Sequence, residues 1–259
     1  MNSEKKIYIE GVYNYCDRWC EKCKFTSNCL LFSQESKIST YEILHNGDLT
    51  NIGDIFKKDI DQISDNSDEF DEFEFEEEDD DDFFSDEEFD SFEDEEEGNR
   101  VDFEKPNHPV EDLSNEYFRQ AHQLIITLDK KYNLYSFQSE KLKDPFFKKL
   151  HDNFEVFSWF HAFIHVKIKR AMWGKDEMMK EDDEEMKEIS KYDMDGTAKI
   201  AIIGINRSIN ALDNLYNILP ESSKEISDLL ILLGKILNLA EIEFPDHGKF
   251  IRPGFDTIQ

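Results

Sequence analysis

The chain lacks several things that would have made its role easy to read. No apolar run in its 259 residues approaches the roughly eighteen of a membrane span, and the opening MNSEKKIYIEG has no apolar segment of the signal-peptide kind. The expectation is a cytoplasmic protein without a membrane partner. Basic residues are scarce: 30 Lys and Arg stand against 60 Asp and Glu, a formal net charge of −30. General nucleic-acid binding needs a basic patch or stripe and is disfavoured. There is no Gly-rich phosphate loop, no G-x-S-x-G elbow and no His-Glu-x-x-His zinc-protease motif. DMDGT at 193–197 falls short of a full twelve-residue calcium loop. Cysteine is missing everywhere except one short stretch.

That stretch is CDRWCEKCKFTSNC, holding Cys16, Cys20, Cys23 and Cys29. In a reducing compartment disulfides do not persist, and four crowded thiolates repel one another unless a cation holds them. All four are therefore expected to ligate a metal centre. Both Zn²⁺ and a [4Fe-4S] cluster accept four thiolates. If Cys16, Cys20 and Cys23 lay on one and a half turns of helix they would share a face, about 5 to 6 Å apart. That spacing suits the corners of a cubane better than one ion, so the cluster is slightly preferred over Zn²⁺. A zinc knuckle at CEKC, closed by Cys29 across KFTSN, stays open as the alternative.

The first three cysteines have the CxxxCxxC spacing and so resemble the radical-SAM family, which would imply an open iron within a large α/β barrel. The match covers eight residues. Lys22 replaces the usual aromatic, Cys29 offers a fourth ligand, and the rest of the chain reads helical, so the resemblance does not extend to the chemistry. The module YNYCDRWCEKCKFTSNC, with a distant helical region ending in FPDHGKFIRPGFD, is similar to an uncharacterised bacterial protein group with an N-terminal CDRWCxxC-x5-C module and a C-terminal helical domain. That resemblance implies only that the two modules belong together.

Three regions follow. Residues 1–60 should form a small cysteine lobe, with Tyr8, Tyr13, Tyr15, Trp19 and Phe25 shielding the centre, a turn at Asn46-Gly47, and a short helix in IGDIFKKDI. Residues 61–99 are an acidic insert: Asp61 to Glu97 holds 23 acids and no Lys or Arg, and removing those from −30 leaves −7. Self-repulsion on that scale predicts disorder. Its seven Phe residues, from Phe70 to Phe92, would let it meet a basic protein surface, although a solubilising spacer is the simpler reading.

Residues 100–259 read as a four-helix bundle with an irregular tail, making the fold mainly α. Apolar spacing predicts helices over about 112–134, from an Asp144-Pro145 start to about Trp173, from an Asp195 cap to Leu219, and from a Ser222/Glu225 capping box to Ala240. Gly174 to Asp193 reads as a charged, Met-bearing linker. Helix two carries His161 mid-stripe and His165 near its edge. They are compatible with a second metal or a shared pocket, but a core His161 bonded to a neighbouring helix and a boundary His165 are the simpler expectation. Ferritin-like di-iron bundles need Glu-x-x-His on two helices, and no such pair lies in this helical region.

Three functions follow from these features. The first is a cytosolic metal-cluster protein, whose structural or redox cysteine module is coupled to a helical docking or sensing domain. The second is a zinc-stabilised interaction module using the acidic insert on a basic protein partner. The third is a metalloenzyme with a histidine pocket.

Overall fold

A computed structural model of the chain describes residues 7–47, 108–136 and 140–256. IGDIFKKDI and the acidic insert, with its Phe residues, lie outside the described residues. Two compact units divide the chain: Met1–Ser33 with Asn107–Gln259, and Gln34–Pro106. Of the second, the described part is most of α1 (Leu30–Leu44) and the turn that ends it, where Asn46 and Gly47 take positive φ and the Gly47 N–H returns to the Glu42 carbonyl at 2.9 Å.

The first unit is helical. Its long helices are α2 (Pro109–Tyr132), α3 (Pro145–Lys180), α4 (Glu184–Ile218) and α5 (Ser223–Glu243). Each packs on the next, and α5 returns to α2, so the four close a ring around one core. The expected apolar stripes fill it: Tyr117, Leu128, Leu150, Phe157, Ile164, Ile168, Ile205, Leu212, Leu233 and Ile236 are all buried.

Local chemistry sets the ends. Asp144 caps α3 by accepting from the Phe146 and Phe147 amides at 2.8 and 3.0 Å, and Pro145 occupies a first position where no N–H is needed. α2 carries Glu111 and Asp112 in its first turn and Lys130 and Lys131 in its last, each opposing the helix dipole.

Three boundaries differ from the sequence-based expectation. Gly174 to Asp193 is no linker: α3 runs on to Lys180, α4 starts at Glu184, and only Glu181–Asp183 intervene. Asp183, not Asp195, is the cap, accepting from the Glu185 and Met186 amides. Met179, Met186 and many of the charges mistaken for a linker lie exposed on a helical hairpin, while Met178 packs against its core. Helices of 36 and 35 residues span about 50 Å, against about 30 to 35 Å for α2 and α5. The capping box also fails. Ser222 precedes α5, but its side chain makes no cap hydrogen bond, because a Pro220–Ser222 3₁₀ turn leads into the helix.

The interior position of Asp195 and Gly196 has a packing reason. An added Cβ at Gly196 would lie 2.5 Å from Tyr15 Cε1 and 2.7 Å from Phe250 Cζ. Tyr15 comes from the N-terminal loop and Phe250 from the C-terminal tail. Their rings meet edge to face at 4.5 Å, and both are buried with Ile200 against α4. The missing side chain is the seat for both ends of the unit.

Gly196→Ala should therefore lower the unfolding free energy by about 1–3 kcal/mol through overpacking. That cost outweighs the gain of about 1 kcal/mol that Ala brings to a helix interior. At Gly234 on α5, nothing lies within 4 Å of an added Cβ, so Gly234→Ala should show the gain alone. Urea unfolding of both variants checks this, and destabilisation at Gly234 or stabilisation at Gly196 would contradict it.

Candidate functional site

The cysteine loop is not helical through Cys16, Cys20 and Cys23. Arg18 takes a left-handed backbone (φ 58°), which breaks the shared face that favoured a cubane. Cys20–Lys22 instead form one 3₁₀ turn, closed by the Cys23 N–H on the Cys20 carbonyl at 3.1 Å. A second such turn spans Thr26–Asn28. The loop's ends are joined where the Ile9 N–H donates to the Asn28 carbonyl, and the Asn28 amide to the Ile7 carbonyl, both at 2.9 Å.

Asp17 and Trp19 fasten the loop to the bundle. The Asp17 carboxylate pairs with Arg207 at 2.5 Å and accepts from the Trp19 amide at 3.2 Å, while its carbonyl accepts from the Trp159 indole at 3.0 Å. Trp19 is buried and stacks on Trp159, ring centroids 5.3 Å apart. These anchors were not read from the sequence. The signal available was CDRW itself, with an acid and an indole between two potential ligands.

All four cysteines are half-buried free thiols, and all four line one cavity of about 20 Å³, room for about one water-sized sphere. Val12, Tyr13, Trp19, Phe25, Phe32 and Phe255 complete its apolar wall. Of the expected aromatic coat, Tyr13, Trp19 and Phe25 are there, whereas Tyr15 faces α4 and Tyr8 donates to Ser33 at 3.3 Å. Backbone amides are aimed at sulfur: the Phe25 N–H reaches Cys23 Sγ and the Phe32 N–H reaches Cys29 Sγ, each at 3.4 Å. Cys16 differs. Its thiol donates to the Tyr13 carbonyl at 3.4 Å, and burial pushes its pKa up. Among the described residues, no three or more His, Cys, Asp or Glu side chains are disposed to hold a metal ion.

Beside the cysteine cavity, with Tyr13, Cys16 and Arg18 as common wall, lies a second, mostly polar one of about 550 Å³. Arg18, Lys167, Arg170 and Asp193 line it. Arg170 grips both Asp193 oxygens at 3.0 Å, and the Tyr15 hydroxyl donates to Asp193 at 3.1 Å. Burial, then the Asp193 charge, raises the Tyr15 pKa well above its usual value, so the phenol stays a donor. Burial and the neighbouring Arg170 push the Lys167 pKa down.

The histidines are arranged differently from the expected core residue. His161 is half-buried, and its Nδ1–H donates to the Ser158 carbonyl of its own helix at 2.5 Å, not to a neighbouring helix. The buried Ser114 hydroxyl donates to the Glu111 carbonyl at 2.7 Å, so it accepts from His165 Nδ1–H at 2.9 Å. Phe118 stacks on both imidazoles, at 5.6 and 6.1 Å, and His122 stacks on His161 at 5.7 Å. His122 was missed because it sits on a different helix. The near-parallel rings form a stack across α2 and α3, and they belong to no described metal-holding group.

No family model, no curated protein and no solved structure matches the chain.

Burial lowers the pKa of His161, with His122 adding to the effect, and burial followed by Lys169 lowers that of His165. The unfolded chain then binds protons more readily than the folded one, so stability is complete above the unfolded value of about 6.5 and falls as pH drops toward the folded values. Unfolding free energies from pH 7.5 to 5 should decline, and in His161→Leu with a flatter slope and an intact fold. An unchanged slope in that variant would contradict this account.

Proposed function

We propose that Cys16, Cys20, Cys23 and Cys29 hold one Zn²⁺ as a tetrathiolate, and that the ion stabilises a small loop through which the helical domain docks a protein partner. The observation that carries this reading is the enclosure of all four thiols around a single cavity of about 20 Å³. A closed set of four ligands is the pattern of structural rather than catalytic zinc. Choosing Zn²⁺ over [4Fe-4S] rests on the backbone: CEKC makes the tight turn that a zinc knuckle requires, and the helical face that favoured a cubane is not formed. Binding needs the side chains to rotate and converge, which suits a loop whose rigid anchors, Asp17 and Trp19, lie between the ligands.

A small loop with few buried groups gains much of its order from such an ion. Anaerobically purified protein should be colourless and carry about one zinc per chain. Each Cys→Ser change should remove most of it and loosen residues 7–29 to hydrogen exchange, while far-ultraviolet helicity is kept. Iron and sulfide with broad visible absorption would replace zinc by [4Fe-4S] on the same ligands. Equal metal content in wild type and all four variants would end the metal reading altogether.

A further inference from the structure

Between α2 and α5 lies a cavity of about 470 Å³ that shares no wall residue with the cysteine cavity or its polar neighbour. Acidity alone marks nothing in a chain of net charge −30. This cavity has more. Its wall is mostly apolar and includes the buried Leu124 and Leu229, which is the character of a small-molecule site and not of a solvated charged face. Ser222 also lines it, only 9 % exposed, and its hydroxyl neither caps α5 nor meets another group among the described residues. A buried hydroxyl without a partner is costly, and the cavity is the side from which a partner can come.

The one cation in the wall is committed, because Lys131 pairs with Glu221 at 2.5 Å. Glu225 and Asp228 make no ion pair or hydrogen bond among the described residues, which leaves a formal charge of −2. Two neighbours add acceptors. Thr127 gives its proton to the Gln123 carbonyl at 2.8 Å and Gln120 turns its amide nitrogen to Glu116 at 2.6 Å, so Thr127 Oγ1 and Gln120 Oε1 remain to accept. We infer that this cavity binds a small aliphatic diamine as its dication. Two ammonium groups answer two carboxylates that stand three residues apart on one face of α5, and their N–H donors suit a wall of acceptors, Ser222 among them. The methylene chain between them lies against Leu124 and Leu229. A divalent metal ion lacks its ligands, since no three His, Cys, Asp or Glu side chains among the described residues are disposed to hold one.

The inference does not rest on the zinc reading. Residues 61–97 carry most of the acid excess and attract any polycation, so the readout has to be local. The test is methyl nuclear magnetic resonance of the whole purified chain at near-physiological salt, following Leu124, Thr127 and Leu229 during titration with cadaverine, and separately with pentylamine and with Mg²⁺. Cadaverine should shift these methyls saturably, at concentrations at least tenfold lower than either of the others. Glu225→Gln and Asp228→Asn should each weaken it about tenfold or more with helix content unchanged, and Ser222→Ala should weaken it severalfold. Glu188→Gln, an exposed change on α4, should leave it as in wild type. No saturable shift at these methyls, equal affinity for pentylamine or Mg²⁺, or equal losses in Glu225→Gln and Glu188→Gln would overturn the proposal.

Discussion

Tyr15 and Phe250 approach α4 so closely that the helix can carry no side chain beneath them, and Gly196 supplies the gap. This one close approach brings the N-terminal loop and the C-terminal tail onto the same face. The neighbouring contacts depend on it: Pro253 rests 3.4 Å from where Gly11 would carry a Cβ, Val12 lies close beneath Gly254, and Phe25 meets Phe255 edge to face at 4.9 Å. The tail thereby becomes part of the cysteine cavity, through Phe255. The seat at Gly196 gives the tail and the start of the loop a shared position on α4, from which both reach the walls of the cavity.

Polar contacts add direction to this apolar docking. Lys199 donates to the Phe250 carbonyl at 2.5 Å and pairs with Asp256 at 2.7 Å, while Arg252 holds Asp256 from the other side. The Arg252 and Lys199 contacts keep the Asp256 carboxyl ionised well below the usual carboxylate range. These groups are largely shielded from solvent, so their attraction is less screened than that of an exposed pair. On the loop side, Arg207 and Trp159 hold Asp17, one residue from Cys16. The loop is thus pinned between its first two potential ligands, Cys16 and Cys20.

How much of this could be read in advance follows from the range of each interaction. Apolar periodicity is local to a helix, and it located all four members of the bundle and their buried stripes. The Gly174–Asp193 stretch misled because its outward faces are charged on an extended hairpin, which leaves no apolar stripe to count, and because Gly174 resembled a stop. Gly196 was read as the start of a helix behind an Asp195 cap, because its value lies in a contact with residues 181 and 54 positions away, invisible to any local rule. The four cysteines were legible as a group from their crowding alone. Their backbone was not, since nothing in CDRW announces a left-handed Arg18. His161 and His165 were legible as neighbours, while the partners that define them, Phe118 and His122, belong to α2.

Charge links the two cavities. Most of the acid excess lies in residues 61–97, and three carboxylates around the loop are each paired with a cation: Asp17 with Arg207, Glu155 with Lys22, Asp193 with Arg170. The loop therefore sits in a nearly balanced field despite the net charge of the chain, and Lys167 is the cation left over beside Cys16. A cation beside Cys16 would offset part of the negative charge that four thiolates gather around the proposed Zn²⁺, so the cysteine cavity and its polar neighbour are coupled through the residues they share, Tyr13, Cys16 and Arg18.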